Sequence, residues 1–174
     1  ARLTDTLKPN LTSVYGLSGQ SVRVDSVDSG QRWNLAGLAG EILQRWNERD
    51  GHWRTFYDDQ LRVVALEEVG QGTIETLTYA TALADPNHNL RGQLIKQDDS
   101  SGELKFSSYS LLGQMLRESR TITDAGSFSS SRTYSPLGTV LTQTDAGDHQ
   151  QRMKYDITGQ LQQVQFRLTS TGNW

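Results

Sequence analysis

Three adjacent acidic pairs are the first residues whose type suggests chemistry: Asp58-Asp59, Glu67-Glu68 and Asp98-Asp99. A glycosidase needs two carboxylates facing each other across a cleft, one of them held protonated. Neighbours on a strand point to opposite faces, so these pairs read as solvated turn carboxylates. His52, His88 and His149 are the three histidines. Zinc asks for ligands at matched spacing; these are scattered and read as surface residues. Ser129-Ser130-Ser131 lacks the G-x-S-x-G surroundings of a nucleophile elbow. The Gly-Gln dipeptides are not phosphate loops, since neither G-x-G-x-x-G nor G-x-x-x-x-G-K-S/T occurs. The absence of cysteine removes thiolate nucleophiles, disulfides and Cys-type zinc sites. Trp33, Trp46 and Trp53 could offer a sugar an aromatic platform; aromatics that partly cover a sheet are the competing reading. We therefore expect no catalytic, cofactor or metal residue, and no enzyme.

What the chain does carry is a period. Tyr134 precedes Gly138 by four residues, as Tyr155 precedes Gly159, Tyr109 precedes Gly113 and Tyr15 precedes Gly19. Gly40 and Gly92 head similar runs, AGEIL and RGQLI. The steps between these glycines are 21, 52, 21, 25 and 21 residues. After each glycine comes a short alternating run, then a second turn signal: Asp28-Ser29-Gly30, Asp50-Gly51, Ser100-Ser101-Gly102, Asp124-Ala125-Gly126 or Asp145-Ala146-Gly147. Glycine reaches positive φ without a Cβ clash, and Asp starts turns through its own backbone. Tyr suits a half-buried pleated surface and keeps a polar tip. Two strands of about six residues and two turns of about four fill one period. A fixed period of this size sets the architecture: an all-β fold of repeated antiparallel β-hairpins.

The gap of 52 spans about two and a half periods and contains a degenerate unit, Tyr57-Asp58-Asp59-Gln60-Leu61. Here an irregular insertion is expected at about 67–88, with a loop or short helix over 80–88. The step of 25 is ascribed to a longer Ser-rich turn, Ala125 to Ser131. GEILQRWNERD fits a helix at Ile42, Leu43 and Trp46, but its flanking turns keep the period and predict a strand. Residues 1–14 read as a lead-in strand or a loose end, and 169–174 as a further turn.

We read 1–174 as a single segment. The net charge of −3 lacks the basic face that nucleic acid requires. The hydrophobic share, 34%, suits a broad sheet with one wet face. No run reaches the length of a membrane span or the pattern of a signal segment. A chain that starts at Ala1 and is already repeating by Tyr15 reads as part of a longer protein.

Tyr155-Asp156-Ile157-Thr158-Gly159-Gln160-Leu161 resembles the unit of the YD-repeat (RHS) family in full. The units at Tyr109 and Tyr134 carry Ser in the Asp position, and that at Tyr15 carries Gly. Three ordered stretches resemble more closely the N-terminal shell region of the C component (TccC-type) of bacterial insecticidal toxin complexes. They are SVDSGQRWNLAGLAGEIL, NLRGQLIKQDDSSGELKFSSYSLLGQML and GTVLTQTDAGDHQQRMKYDITGQLQQV. The resemblance implies a curved, extended sheet of hairpins, part of a hollow shell. It implies a B-type component as partner, a C-terminal toxic domain as cargo, and a secreted bacterial protein. The family's self-cleaving carboxylates lie far downstream, so none is carried over. The residues carried over are structural: Tyr15, Gly19, Gly40, Gly92, Tyr109, Gly113, Tyr134, Gly138, Tyr155, Asp156 and Gly159. A cut-out segment also has open sheet edges, which implies pairing between copies. The alternative is a β-rich module that binds a carbohydrate or a receptor through its Trp-rich first third.

Overall fold

The computed structural model describes residues 9–168; the expectations for 1–8 and 169–174 lie outside them. The chain forms two compact units, 1–76 and 77–174. In the first, β1 (Leu11–Tyr15), β2 (Ser21–Ser26), β3 (Gly30–Ala36), β4 (Ile42–Asn47), β5 (His52–Tyr57), β6 (Val63–Glu68) and β7 (Gly72–Tyr79, running on past the division) pair in chain order. In the second the order is again that of the chain: β8 (Leu94–Asp99), β9 (Gly102–Tyr109), β10 (Met115–Ile122), β11 (Gly126–Tyr134), β12 (Val140–Thr144), β13 (Gln150–Tyr155) and β14 (Leu161–Arg167). Every pairing within a unit is antiparallel. The period thus becomes a succession of hairpins, and 42–47 is a strand, as its flanking turns predict.

Among the described residues neither unit packs a second layer on its strands, whose contacts are with their sequence neighbours and, at β9, with the 3-10 turn at Pro86–His88. Among the described residues only Ala80 and Tyr109 are buried hydrophobics, at 6% and 7% exposure. Cohesion therefore rests on ladder hydrogen bonds and cross-strand pairs. One such pair is the stack of Trp46 on His52, with ring centroids 4.8 Å apart. Another joins β8 to β10 across β9. Arg120 Nη2 donates to both oxygens of Asp99 at 2.8 and 2.9 Å. Gly102 lies opposite Asp99, and a Cβ there would fall 2.1 Å from the Thr121 carbonyl oxygen.

Three expectations need correction. Residues 67–88 are not one irregular insertion, because Glu67 and Glu68 lie in β6 and 72–79 form β7. The gap of 52 divides into a regular step of 21 to Leu61 and a step of 31 to Gly92. The Ser-rich stretch is strand: Ser127 to Ser131 face Thr121 to Arg117 in register. The hydroxyls pair across it, Thr121 with Ser127 at 2.7 Å and Ser130 onto Glu118 at 2.6 Å. The step of 25 therefore comes from longer strands, of 8 and 9 residues. Four extra residues are an even number, so each face keeps its side chains. Third, Asp50 and Asp148 take the left-handed conformation, not Gly51 and Gly147. Asp adopts it more readily than most residues. Gly51 serves another purpose, because a Cβ there would lie 2.3 Å from the Trp53 ring.

Leu61 occupies the left-handed position (φ 58°) that glycine fills in its sister turns. Leu61→Gly is expected to raise stability by about 1 kcal/mol by removing the Cβ penalty, read as a higher urea midpoint at unchanged slope. A lower midpoint refutes this. Asp99 has its carboxyl lowered from 3.8 to about 2, first by the Ser101 hydroxyl and then by Arg120. The folded state thus holds this proton less tightly than the unfolded chain, and the pair stabilises fully above the ordinary value. That contribution fades as pH falls through about 2. Melting temperature should drop more steeply with acid between pH 4 and 2 in the unchanged chain than in Asp99→Asn; parallel curves would contradict it.

Candidate functional site

The most repeated constellation in the molecule is the turn that joins one hairpin to the next. Six five-residue turns share one pair of backbone bonds. They begin at Gly16, Gly37, Asp58, Ser110, Ser135 and Asp156. The first residue's N–H donates to the fifth residue's carbonyl at 2.7–3.0 Å, and the fourth residue's N–H returns to the first carbonyl at 2.9–3.2 Å. The fourth residue must be left-handed. Gly19, Gly40, Gly113, Gly138 and Gly159 take this place with φ between 76° and 93°.

The first residue caps the turn. The Asp58 and Asp156 carboxylates each accept the N–H groups two and four residues on, at 2.8–3.0 Å. Ser110 and Ser135 do the same through Oγ at 3.1–3.2 Å. This explains why Ser replaces Asp in the motif without loss of the turn: either oxygen accepts both donors. Asn47 and Asp145 cap in the same way at the far ends of β4–β5 and β12–β13, and the Asp145 turn also makes both backbone bonds.

The tyrosine ahead of the turn has a partner that the spacing does not reveal. The ladder slips by one residue at Tyr15, Tyr57, Tyr134 and Tyr155. Such bulges re-aim a side chain. The hydroxyls of Tyr57, Tyr109, Tyr134 and Tyr155 donate to the carbonyls of Ile42, Leu94, Met115 and Val140 at 2.5–3.1 Å. Each acceptor is the first residue of the hairpin that the tyrosine ends. A net hydrogen bond of this kind contributes about 0.5–1.5 kcal/mol. Burial raises the Tyr109 hydroxyl's pKa, which keeps it a donor. Tyr15, which ends the first described strand, is 64% exposed.

The residue after the glycine was also missed, although the recurring Gly-Gln dipeptide was its signal. Gln20 Nε2 donates to the Gly40 carbonyl at 3.3 Å, and Gln114 Nε2 to the Gly138 carbonyl at 2.7 Å. Each links its turn to the next one along the same edge. Gly92 belongs to an altered turn. Ala80 N–H still donates to the Gln93 carbonyl, and Gly92 N–H to the Ala80 carbonyl, but nine additional residues lie between them.

The other candidates are spread apart. Asp98 pairs with Lys96 at 2.8 Å and Asp99 with Arg120, on opposite faces of β8. Glu67 faces Arg54 at 3.5 Å. Trp33 lies opposite Trp46, and Trp46 opposite His52, on one face of the first unit. Trp53 lies opposite Arg45 and so points to the other face. The three tryptophans do not form one platform. His88 bonds Asp85 at 2.6 Å, and the His149 ring lies 6.1 Å from that of Phe166.

Comparison with protein-family models gives no match, and neither does comparison with curated proteins. Solved structures do match. A crystal structure of TcdB2-TccC3 superposes with TM-score 0.81 at 26% identity, over 98% of this chain and 10% of that one. TcdB2-TccC3-Cdc42 gives 0.82 at 25%, over 98% and 9%. A Photorhabdus luminescens Tc holotoxin pore gives 0.79 at 25%, again over 98% and 9%. The chain therefore spans about a tenth of the length of these neighbours. Turn chemistry, strand order and structural likeness agree: the chain carries repeated Tyr-and-Gly turns and is similar in fold to a segment of TcdB2-TccC3 toxin-complex structures.

Proposed function

We propose that the chain is part of the wall of a bacterial toxin complex C component. Its hairpins form a stretch of β shell that holds a C-terminal toxic domain, alongside a B-type component, in a secreted assembly. Its role is containment, and it performs no catalysis. The observation that carries this reading is the turn closed by the same two backbone bonds six times over. A sheet whose turns satisfy their own polar groups can extend without openings and keep a cargo from solvent. The turn tips also support a partner surface. Leu17, Leu38, Leu111, Leu137 and Ile157 are each more than 90% exposed, an arrangement that suits contact with a neighbouring apolar surface.

The test is a chimera in which these 174 residues replace the matching tenth of a TcdB2-TccC3-type chain. The enclosed C-terminal domain is expected to stay protease-resistant in the assembled complex. Normal assembly with an unprotected domain overturns the proposal. By itself, the chain is expected to pair with a second copy along the outer edge of β14, where Val164 and Phe166 are each 53% exposed. Sedimentation velocity should then show association that rises with concentration and falls in Val164→Lys. A clean monomer at high concentration counts against this contact.

A further inference from the structure

The nine residues added to the Ala80 turn build something that the regular turns lack. Asp85 caps the 3-10 turn through the Asn87 N–H at 2.8 Å. Asn89, left-handed at φ 53°, donates from Nδ2 to the Tyr109 carbonyl at 2.8 Å. The loop is thus fixed against the end of β9. It sets His88 at the rim of a groove of about 560 Å³ over β9, β10 and β11. Insertions at repeat junctions usually map to one face, often the binding face.

The groove has an unusual charge balance. In a chain of net charge −3, none of its lining residues is acidic. Its floor is a register row: Ser108 opposite Arg117, and Arg117 opposite Ser131, with Thr133 next along the same face. A ladder shift at Arg117 leaves Ser107 without a facing residue on β10. Arg120 of the same strand is engaged by Asp99, and Arg132 faces Glu118 at 3.8 Å. Arg117 has no ion pair or side-chain hydrogen bond among the described residues. His88 uses Nδ1 toward Asp85, which leaves Nε2 as its other ring nitrogen.

We propose that this groove is a binding site for a tetrahedral oxyanion, the phosphate or sulfate group of a small polar ligand. Arg117 supplies the charged, fork-shaped contact that suits phosphoryl and sulfuryl oxygens. Ser108 and Ser131 add hydroxyl donors around it, and the imidazolium form of His88, whose Nδ1–H is given to Asp85, adds an N–H at Nε2. The volume lies within the range of small-ligand sites and exceeds a bare anion, so it has room for a sugar carrying the group.

Isothermal titration of the chain with inorganic phosphate, inorganic sulfate, glucose 6-phosphate and glucose tests the site. Anion binding is expected and glucose alone should not bind. Tighter binding of glucose 6-phosphate than of phosphate assigns the site to an ester; equal binding assigns it to the free ion. Arg117→Gln should weaken binding about tenfold or more, the loss of a charged hydrogen bond. His88→Ala alters an exposed loop residue, so it leaves the fold intact, and it should weaken binding several-fold. No anion binding by the unchanged chain, or unchanged affinity in His88→Ala and in a folded Arg117→Gln, overturns the proposal.

Discussion

A backbone N–H bonded to the carbonyl four residues ahead recurs at six of the places where one hairpin hands over to the next. The bond forms only if the fourth residue of the turn is left-handed, which is why glycine sets the period. The other parts of the motif are arranged around it. The capping Asp or Ser satisfies two further N–H groups, the preceding Tyr closes its own hairpin, and the following Gln reaches the next turn. Even the Ala80 loop, with nine extra residues, closes on the same two bonds. Among the described residues no packed core supplies an alternative.

This division of labour shows what could be read from the residues and what could not. The hairpin order was legible because each requirement is local: a positive φ, an oxygen two to four residues upstream, an alternating run. Leu61 was legible as a degenerate position, and it occupies the same conformation as the glycines. The serines of β11 misled because Ser favours turns in isolation, whereas here a facing strand gives each hydroxyl a neighbour. Asp148 misled for the opposite reason: the glycine beside it was assumed to hold the bend, but an Asp can hold it too. The tyrosine acceptors lie 15 or 19 residues upstream, and only the folded hairpin brings them close.

The candidate chemistry follows the same logic. The acidic pairs divide between two faces because strand residues alternate, which the sequence already implied. The tryptophans divide for the same reason, but only the register shows where the division falls. The groove beside His88 draws on three strands and one loop, so no window of sequence contains it.

Described strands that pair with no strand but their sequence neighbours have a mechanical consequence. In such quasi-linear assemblies stability is a sum of each module and its nearest-neighbour contacts. Each hairpin can therefore dock as it leaves the ribosome, without waiting for distant parts of the chain. By the same token, a pull on one end peels the hairpins away in order, each rupture no larger than a single module, so the strands yield by unzipping instead of shattering.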